Sequence, residues 1–162
     1  METARLRLDP LTLDDADDLF AVLDDSALHT FTGGVPMTRD ALERWIASVA
    51  AGRSPDGGET WRNWVVRLRD DGSVIGAVQA TIVEDEATLA WTIGSTWQGR
   101  GYAKEAAAGA HGWVATSGVV RFRAAIHPEH HASAAVARSI GLAPTTESID
   151  GEVVWRGLPP AA

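Results

Sequence analysis

Three short strands joined by tight turns, followed directly by a glycine-rich turn and an alanine-rich helix, constrain the fold of this chain more than any other feature. We predict the strands at 63–69, 73–83 and 87–93, because polar turns separate these three apolar stretches. The helix should run from about Gly101 to Thr116, where small side chains allow close packing on a sheet. Strands that pair consecutively before such a helix are typical of a mixed α+β sheet.

The rest of the sequence predicts the flanks of the same domain. Thr12 and Thr38 each precede apolar residues at helical spacing, so each is expected to cap a helix. The other expected elements are a first strand at 4–8 ended by Asp9 and Pro10, a strand at 119–126, a helix at 132–140 and a hairpin at 145–156. The whole chain, 1–162, should form one domain with about seven strands, mostly antiparallel, and about four helices.

Composition excludes several classes of function. The chain has no cysteine, which rules out disulfides, thiolate metal sites and a cysteine nucleophile. Its formal net charge of -8 argues against a nucleic-acid partner, since phosphate contacts require clustered Lys and Arg, and is compatible with a cationic substrate. Apolar runs are short, and the N-terminal residues lack the apolar stretch of a signal peptide, so we expect a cytoplasmic protein with no membrane partner.

The turn between the third of these strands and the helix has the features of an anion site. Gln98, Gly99, Arg100 and Gly101 precede a helix whose first backbone N–H groups have no intrahelical acceptor and lie at the positive end of the helix dipole. Glycine permits close approach of the backbone and Arg100 adds a positive charge, so a pyrophosphate can bind here. A plain glycine turn between a strand and a helix fits the same pattern.

The wider context of this turn resembles the GNAT acetyltransferase superfamily. Gln98, Gly101 and Ala103 fill the coenzyme A loop of that superfamily, which reads Gln or Arg, two residues, Gly, one residue, then Gly or Ala. The segment 127–142 is similar to the PxNxxS segment of the superfamily and the helix that follows it. The resemblance extends over 87–142, and the branch that the chain most resembles acetylates the N-terminal amines of ribosomal proteins.

The resemblance implies acetyl-CoA as cosubstrate, a primary amine of a small molecule or of a peptide N-terminus as acceptor, and direct transfer in a ternary complex without a covalent acyl-enzyme. The pantetheine arm would lie between splayed strands at 87–93 and 119–126, with a backbone N–H near Ile93 donating to the thioester oxygen. The acceptor site would be built from the early helices and the loops at 30–36 and 51–62, which carry no pattern that identifies the amine. Dimers are common in this family, so a homodimer is one expected assembly. The residues implied in cofactor binding are Trp91, Thr92, Ile93, Gln98, Gly99, Arg100, Gly101, Tyr102, Ala103, Lys104, His130 and Ser133.

The sequence departs from the family pattern at the catalytic positions. His130 replaces an Asn that contacts coenzyme A, and a neutral imidazole can donate a comparable hydrogen bond. In many members of the family a tyrosine protonates the departing thiolate, and its position is occupied here by Ala137. Ser133 is therefore the candidate proton donor, although a serine there can equally be an N-cap or first-turn residue of the helix. Glu86 shares a strand face with Thr88, where the family places a glutamate, and is the candidate general base; a turn carboxylate is commonly just solvated.

Three other functions fit parts of the sequence. A coenzyme A-binding module without catalysis would explain the missing tyrosine and glutamate, and it predicts cofactor binding without thiol release. A Rossmann-type dinucleotide site is disfavoured, because the third glycine is missing and the loop follows three antiparallel strands. A metal site at His127, Glu129, His130 and His131 is also disfavoured, because adjacent histidines point apart and no further ligands are evident, so we expect no metal.

Overall fold

The computed structural model describes residues 1–31 and 33–161. The described residues form the strands β1 (Leu6–Pro10), β2 (Thr60–Leu68), β3 (Val74–Val83), β4 (Glu86–Ile93), β5 (Arg121–Ile126), β6 (Ala143–Ile149) and β7 (Glu152–Gly157). The α-helices are α1 (Ala16–Leu23), α2 (Arg39–Val49), α3 (Tyr102–Ala115) and α4 (His131–Ser139). No helix in this part of the chain has the length and apolar character required to cross a bilayer.

The strands form one seven-stranded sheet in the order β1-β2-β3-β4-β5-β7-β6. Neighbouring strands run antiparallel, except that β4 and β5 run parallel. The three predicted central strands are present, with ends that differ by at most a few residues from the predicted ones. The predicted class, a mixed and mostly antiparallel α+β sheet with four helices, is confirmed.

Helices cover both faces of the sheet and create two hydrophobic cores. Side chains alternate between the faces along each strand, so Ala77 and Val78 of β3 belong to different cores. Val78 and Phe122 pack beneath α3 and α4, and both are buried. Leu19 of α1 and Ile46 of α2 are fully buried on the opposite face. Each such side chain stabilises the fold by about 1.5–3 kcal/mol relative to an exposed position.

Of the two predicted helix caps, that of α2 is present, whereas Thr12 caps a short 3-10 turn before α1 rather than α1 itself. The Thr38 hydroxyl accepts the Ala41 N–H at 3.2 Å at the start of α2. The Thr12 N–H donates to the Asp15 carboxylate at 2.8 Å, within a short 3-10 turn that precedes α1. Asp15 is buried and pairs with Arg67 of β2, so this cap also ties α1 to the sheet.

Strand β1 lies further along the chain than predicted. We expected it to end before Asp9 and Pro10, but these residues continue the strand and pair with Val65 and Trp64 of β2. A proline is tolerated here because β1 is an edge strand, where a missing N–H need not break a ladder.

The sheet opens between β4 and β5. Their parallel ladder contains three residue pairs, from Glu86 with Arg121 to Thr88 with Arg123. Beyond this point β5 continues along β7, whereas β4 continues along β3. The last part of β4, residues 89–93, therefore has a strand neighbour on one side only. This opening is the splay that the family resemblance implied.

Candidate functional site

The free edge of β4 presents the backbone of alternate residues to the gap. The Gly94 N–H donates to the Ile75 C=O at 2.9 Å, and in antiparallel pairing every second residue repeats this direction. Thr92 therefore directs its backbone groups to β3, whereas Trp91 and Ile93 direct theirs to the gap between β4 and β5. An extended ligand can hydrogen-bond this edge as an added strand would.

A cavity of about 420 Å³, here called the first cavity, lies against this edge and is bounded by the start of α3 and by α4. Most of the residues predicted to bind the cofactor line it: Trp91, Ile93, Gln98, Gly99, Gly101, Tyr102, Ala103, Lys104, His130 and Ser133. The remaining wall residues, which are not among the individually predicted cofactor residues, are Trp97, Ala132, Ala135 and Val136. These four are mostly apolar and carry no motif of their own.

The turn before α3 places backbone N–H groups on the first cavity. Gly99 and Gly101 have φ angles of 75° and 81°, in the left-handed region that favours glycine. Gln98 fixes the start of the turn, since its Nε2 donates to the Ile93 C=O at 2.9 Å. The Glu105 N–H makes the bond to the Gly101 C=O, so the N–H groups of the preceding turn have no acceptor within the helix and can bind an anion.

Arg5, immediately before β1, holds this turn in place. Its guanidinium donates to the Arg100 C=O at 3.0 Å and to the Glu105 carboxylate at 2.7 Å, and it lies 4.6 Å from the centre of the Tyr102 ring. The Glu105 carboxylate also accepts from the Arg5 N–H at 2.7 Å and from the Thr3 hydroxyl at 2.6 Å. Burial opposes ionisation of Glu105, but these hydrogen bonds outweigh it and keep its pKa below the ordinary value. No sequence pattern indicates this contact, because it joins residues far apart in the chain.

Ser133 lies on α4 with its hydroxyl at the first cavity. The Trp91 indole N–H donates to the Ser133 oxygen at 3.1 Å across the gap. Three other helical hydroxyls, those of Ser48, Thr116 and Ser139, donate to the carbonyl three residues earlier. Among the described residues, no such acceptor is found for the Ser133 hydroxyl, so its proton can be directed into the cavity.

His130 lines the first cavity just before α4. Its ring stacks on Phe31, with ring centres 4.5 Å apart, and Phe31 also lies 5.6 Å from the His127 ring. Burial lowers the pKa of His130, and the nearby His127 lowers it further. The neutral imidazole keeps one donor and one acceptor nitrogen. Through Phe31, the segment before α2 reaches the end of β5, on the far side of the gap.

Two residues predicted to bind the cofactor lie elsewhere. Thr92 faces the opposite side of the sheet, because side chains alternate along β4, and its backbone pairs with β3. The Arg100 side chain is exposed and is not part of the cavity wall; the contact that this residue makes is through its C=O to Arg5. The assignment of Thr92 is corrected accordingly, and that of Arg100 stays a prediction.

Glu86 lies at the closed end of the β4–β5 ladder, away from the first cavity. Its carboxylate accepts from Arg156 at 2.8 Å and is within 4 Å of two further guanidiniums, those of Arg121 and Arg123. Because Glu86 pairs with three arginines at the opposite end of β4 from the cavity, it holds the closed end of the ladder and does not reach an amine at the gap. We therefore do not retain Glu86 as the general base.

A second cavity, of about 320 Å³, lies on the opposite face of the sheet beneath α1 and α2. It is lined by Phe20, Leu23, His29, Met37, Leu42, Trp45, Ala77, Gln79 and Thr92. Two of the lining residues flank the loop at 30–36 that was expected to contribute to the acceptor site, whereas the loop at 51–62 does not line this cavity. Thr32, within the first of these loops, lies outside the described residues.

Gly76 of β3 permits the close approach of β4 at the site. A Cβ on Gly76 would lie 2.0 Å from the Thr92 carbonyl oxygen, so a side chain here would displace the strand that separates the two cavities. An isolated glycine within a strand pattern is the signal that could have identified this position from the sequence.

The histidines before α4 form no metal centre in the described part of the chain. Within it, no group of three or more His, Asp or Glu side chains is arranged to hold an ion. The His127 Nδ1 instead accepts the Glu129 N–H at 3.2 Å, which shapes the turn that leads to α4.

Comparison with known proteins identifies the family. Residues 5–143 match the model of the GNAT acetyltransferase domain. The chain belongs to this acetyltransferase family, as the sequence analysis predicted. No protein in a search of curated sequences matches it.

Solved structures share the fold across almost the whole chain. A proposed ribosomal-protein-serine acetyltransferase from Vibrio cholerae is 22% identical with a TM-score of 0.75, covering 98% of this chain and 96% of that one. The aminoglycoside acetyltransferase AAC(6')-Ib, in complex with coenzyme A, is 14% identical with a TM-score of 0.77, covering 94% of each chain. A chimera of a spermidine N-acetyltransferase from Vibrio cholerae and hSSAT is 18% identical with a TM-score of 0.75, covering 96% of each chain.

Proposed function

We propose that the chain is an acetyl-CoA-dependent N-acetyltransferase that moves an acetyl group to a primary amine in a ternary complex. The observation that carries this proposal is the free edge of β4, which lies along a cavity that also receives the unpaired N–H groups of α3. The edge of β4 is suited to an extended arm, and the start of α3 is suited to an anion. Aminoglycoside acetyltransferase structures of the same fold contain coenzyme A or acetyl-CoA.

The residues of the first cavity fit coenzyme A. Trp97, Ala135 and Val136 supply apolar surface for the hydrocarbon part of the arm. Lys104 and the N–H groups at the start of α3 favour a pyrophosphate at the other end. A cavity of about 420 Å³ is of the size that holds a small molecule.

The chain supplies hydrogen-bond donors for the transfer. Bound acetyl-CoA would provide a thioester, from which a neutral amine takes the acetyl group as the N–C bond forms and the C–S bond breaks. The Ile93 N–H faces the gap and would donate to the carbonyl oxygen, where negative charge develops. The Ser133 hydroxyl would give its proton to the departing sulfur and take one back from solvent, to which the amine nitrogen loses its own proton. Trp91 keeps the Ser133 oxygen oriented.

Thiol release tests this proposal. The purified chain is mixed with acetyl-CoA and a panel of primary amines, and the free thiol and the acetylated product are both measured. The proposal predicts release that depends on the amine, with one acetyl-amine formed per thiol. Acetyl-CoA binding without release for any amine would favour the alternative of a non-catalytic coenzyme A-binding module.

A further inference from the structure

We infer that the second cavity receives the acceptor, and that the acceptor is a primary amine on a single small apolar body rather than a polyamine or an amino sugar. This inference rests on the acetyl transfer proposed above and specifies its substrate class. Three observations carry it: the position of the cavity, the chemistry of its wall and its size.

The second cavity lies directly across β4 from the first. Thr92 lines the second cavity, whereas its neighbours Trp91 and Ile93 line the first. In this part of the sheet β4 has no pairing with β5, so the edge of a single strand separates the two cavities. An amine in the second cavity can therefore reach a thioester in the first through the gap.

The wall of the second cavity is apolar with a few neutral polar groups. Six of its side chains are apolar, namely Phe20, Leu23, Met37, Leu42, Trp45 and Ala77, and the other three are His29, Gln79 and Thr92. None of these described wall residues is Asp, Glu, Lys or Arg. A second ammonium buried here would lack a counter-charge, which costs several kcal/mol. The wall of the second cavity therefore favours an acceptor that carries no charged group besides the reacting amine.

The two carboxylates that follow Leu23 in the chain do not change this conclusion. Asp24 and Asp25 directly follow Leu23 but are not part of the wall. Asp25 is held by hydrogen bonds from the Ser95 side chain and the Ala27 N–H, which lower its pKa. An ionised Asp25 can attract an ammonium towards the cavity, but it places no negative charge inside.

The size of the cavity limits the body of the acceptor. About 320 Å³ is near the lower end of the range for small-molecule pockets. Such a space fits one aromatic ring or one branched hydrocarbon chain beside the amine. The same chemistry occurs in a free arylalkylamine and at a peptide N-terminus with an apolar first residue.

The test compares phenethylamine with spermidine by thiol release. We expect kcat/KM for phenethylamine to exceed that for spermidine by about tenfold or more. Met37→Asp introduces a carboxylate into the wall at an exposed loop residue and should reverse this preference. Val120→Asp is the matched control: it adds the same charge at a side chain that is 48% exposed, against 51% for Met37, and that lies outside both cavities, so it should change neither rate. A peptide that begins with Phe, measured alongside phenethylamine, distinguishes the two sources of the amine.

Direct binding separates this inference from the proposed reaction. Saturation-transfer NMR measures phenethylamine binding without any need for turnover. Binding that is lost in Met37→Asp and kept in Val120→Asp supports the cavity assignment even if no thiol is released. Equal kcat/KM for the two amines, unaffected by Met37→Asp, would overturn the cavity assignment and leave the acetyl transfer standing.

Discussion

At the scale of single residues, Arg5 and Arg7 provide a matched comparison. Each arginine is 48% exposed and each has its Nε 2.7 Å from a carboxylate, Glu105 for Arg5 and Asp9 for Arg7. Arg5 alone of the two also donates to the Arg100 C=O within the turn that precedes α3. Arg7 therefore controls for the general loss of a surface arginine.

We expect Arg5→Ala to weaken acetyl-CoA binding by about tenfold, since a hydrogen bond of about 1–1.5 kcal/mol that shapes the turn is lost. Arg7→Ala should leave the affinity unchanged. Calorimetric titration of both variants measures the two dissociation constants. Equal effects of the two substitutions would contradict the positioning role of Arg5.

Ser133 provides a second comparison at this scale, with Ser139 on the same helix as control. Ser133→Ala should lower kcat by about a hundredfold with little change in acetyl-CoA affinity, because a proton donor acts in the chemical step. Ser139 donates to the Val136 C=O and lies outside the first cavity, so Ser139→Ala should leave kcat unchanged. Steady-state rates with a saturating amine check this prediction. An unchanged kcat in Ser133→Ala would remove this residue from the mechanism.

At the scale of elements, the two ends of α3 carry glycines in the same conformation. Gly101 has φ 81° before the helix and Gly118 has φ 88° after it. A side chain at either position costs about 1–2 kcal/mol of backbone strain. Of these two glycines, only Gly101 borders the first cavity.

Gly101→Glu should therefore abolish acetyl-CoA binding, because the carboxylate repels the pyrophosphate and fills its space, whereas Gly118→Glu should retain it. Both variants should lose a similar amount of thermal stability. Thermal unfolding with and without acetyl-CoA measures both effects. If acetyl-CoA still stabilises Gly101→Glu as it does the parent chain, the turn is not the anion site.

The elements were predicted from the sequence with good accuracy where a local signal exists. Turn residues and caps such as Thr38 act within a few positions, so the central strands and the helices appear as expected. β1 was misplaced because a proline can continue an edge strand, and a local pattern does not reveal which strand lies at an edge. The splay was implied by the family resemblance rather than by any periodicity of β4 or β5.

At the scale of the whole molecule, a buried histidine couples stability to pH. His111 of α3 is 3% exposed, packs edge-on against Phe122 with ring centres 4.2 Å apart, and has its Nε2 3.1 Å from the Leu158 C=O. Burial lowers the pKa of His111, and the carbonyl opposes this only in part.

Because the folded pKa of His111 lies below the ordinary value of 6.5, the unfolded chain takes up the proton first as the pH falls. Stability should be constant above pH 6.5 and should decrease below it. His111→Gln keeps a donor for the Leu158 C=O and should flatten this decrease. Denaturant midpoints across the pH range measure the slope. His130, whose pKa is also lowered by burial, should account for part of the remaining slope.

The arrangement of the two cavities also belongs to the whole molecule. The predicted cofactor residues lie in two short segments, 91–104 and 130–133, so the family resemblance predicted most of the wall of the first cavity from the sequence. The second cavity draws its wall from α1, α2, β3, β4 and the segments around His29 and Met37. No single stretch of sequence contains it, which explains why the acceptor could not be inferred from the sequence.

Calorimetric titration of the unmodified chain with acetyl-CoA, with NAD as control ligand, tests the central claim most directly. It examines the first cavity before any acceptor is known. We predict one acetyl-CoA bound per chain with a micromolar dissociation constant and no heat from NAD. Absence of acetyl-CoA binding, or equal binding of NAD, would contradict the assignment of this cavity to coenzyme A.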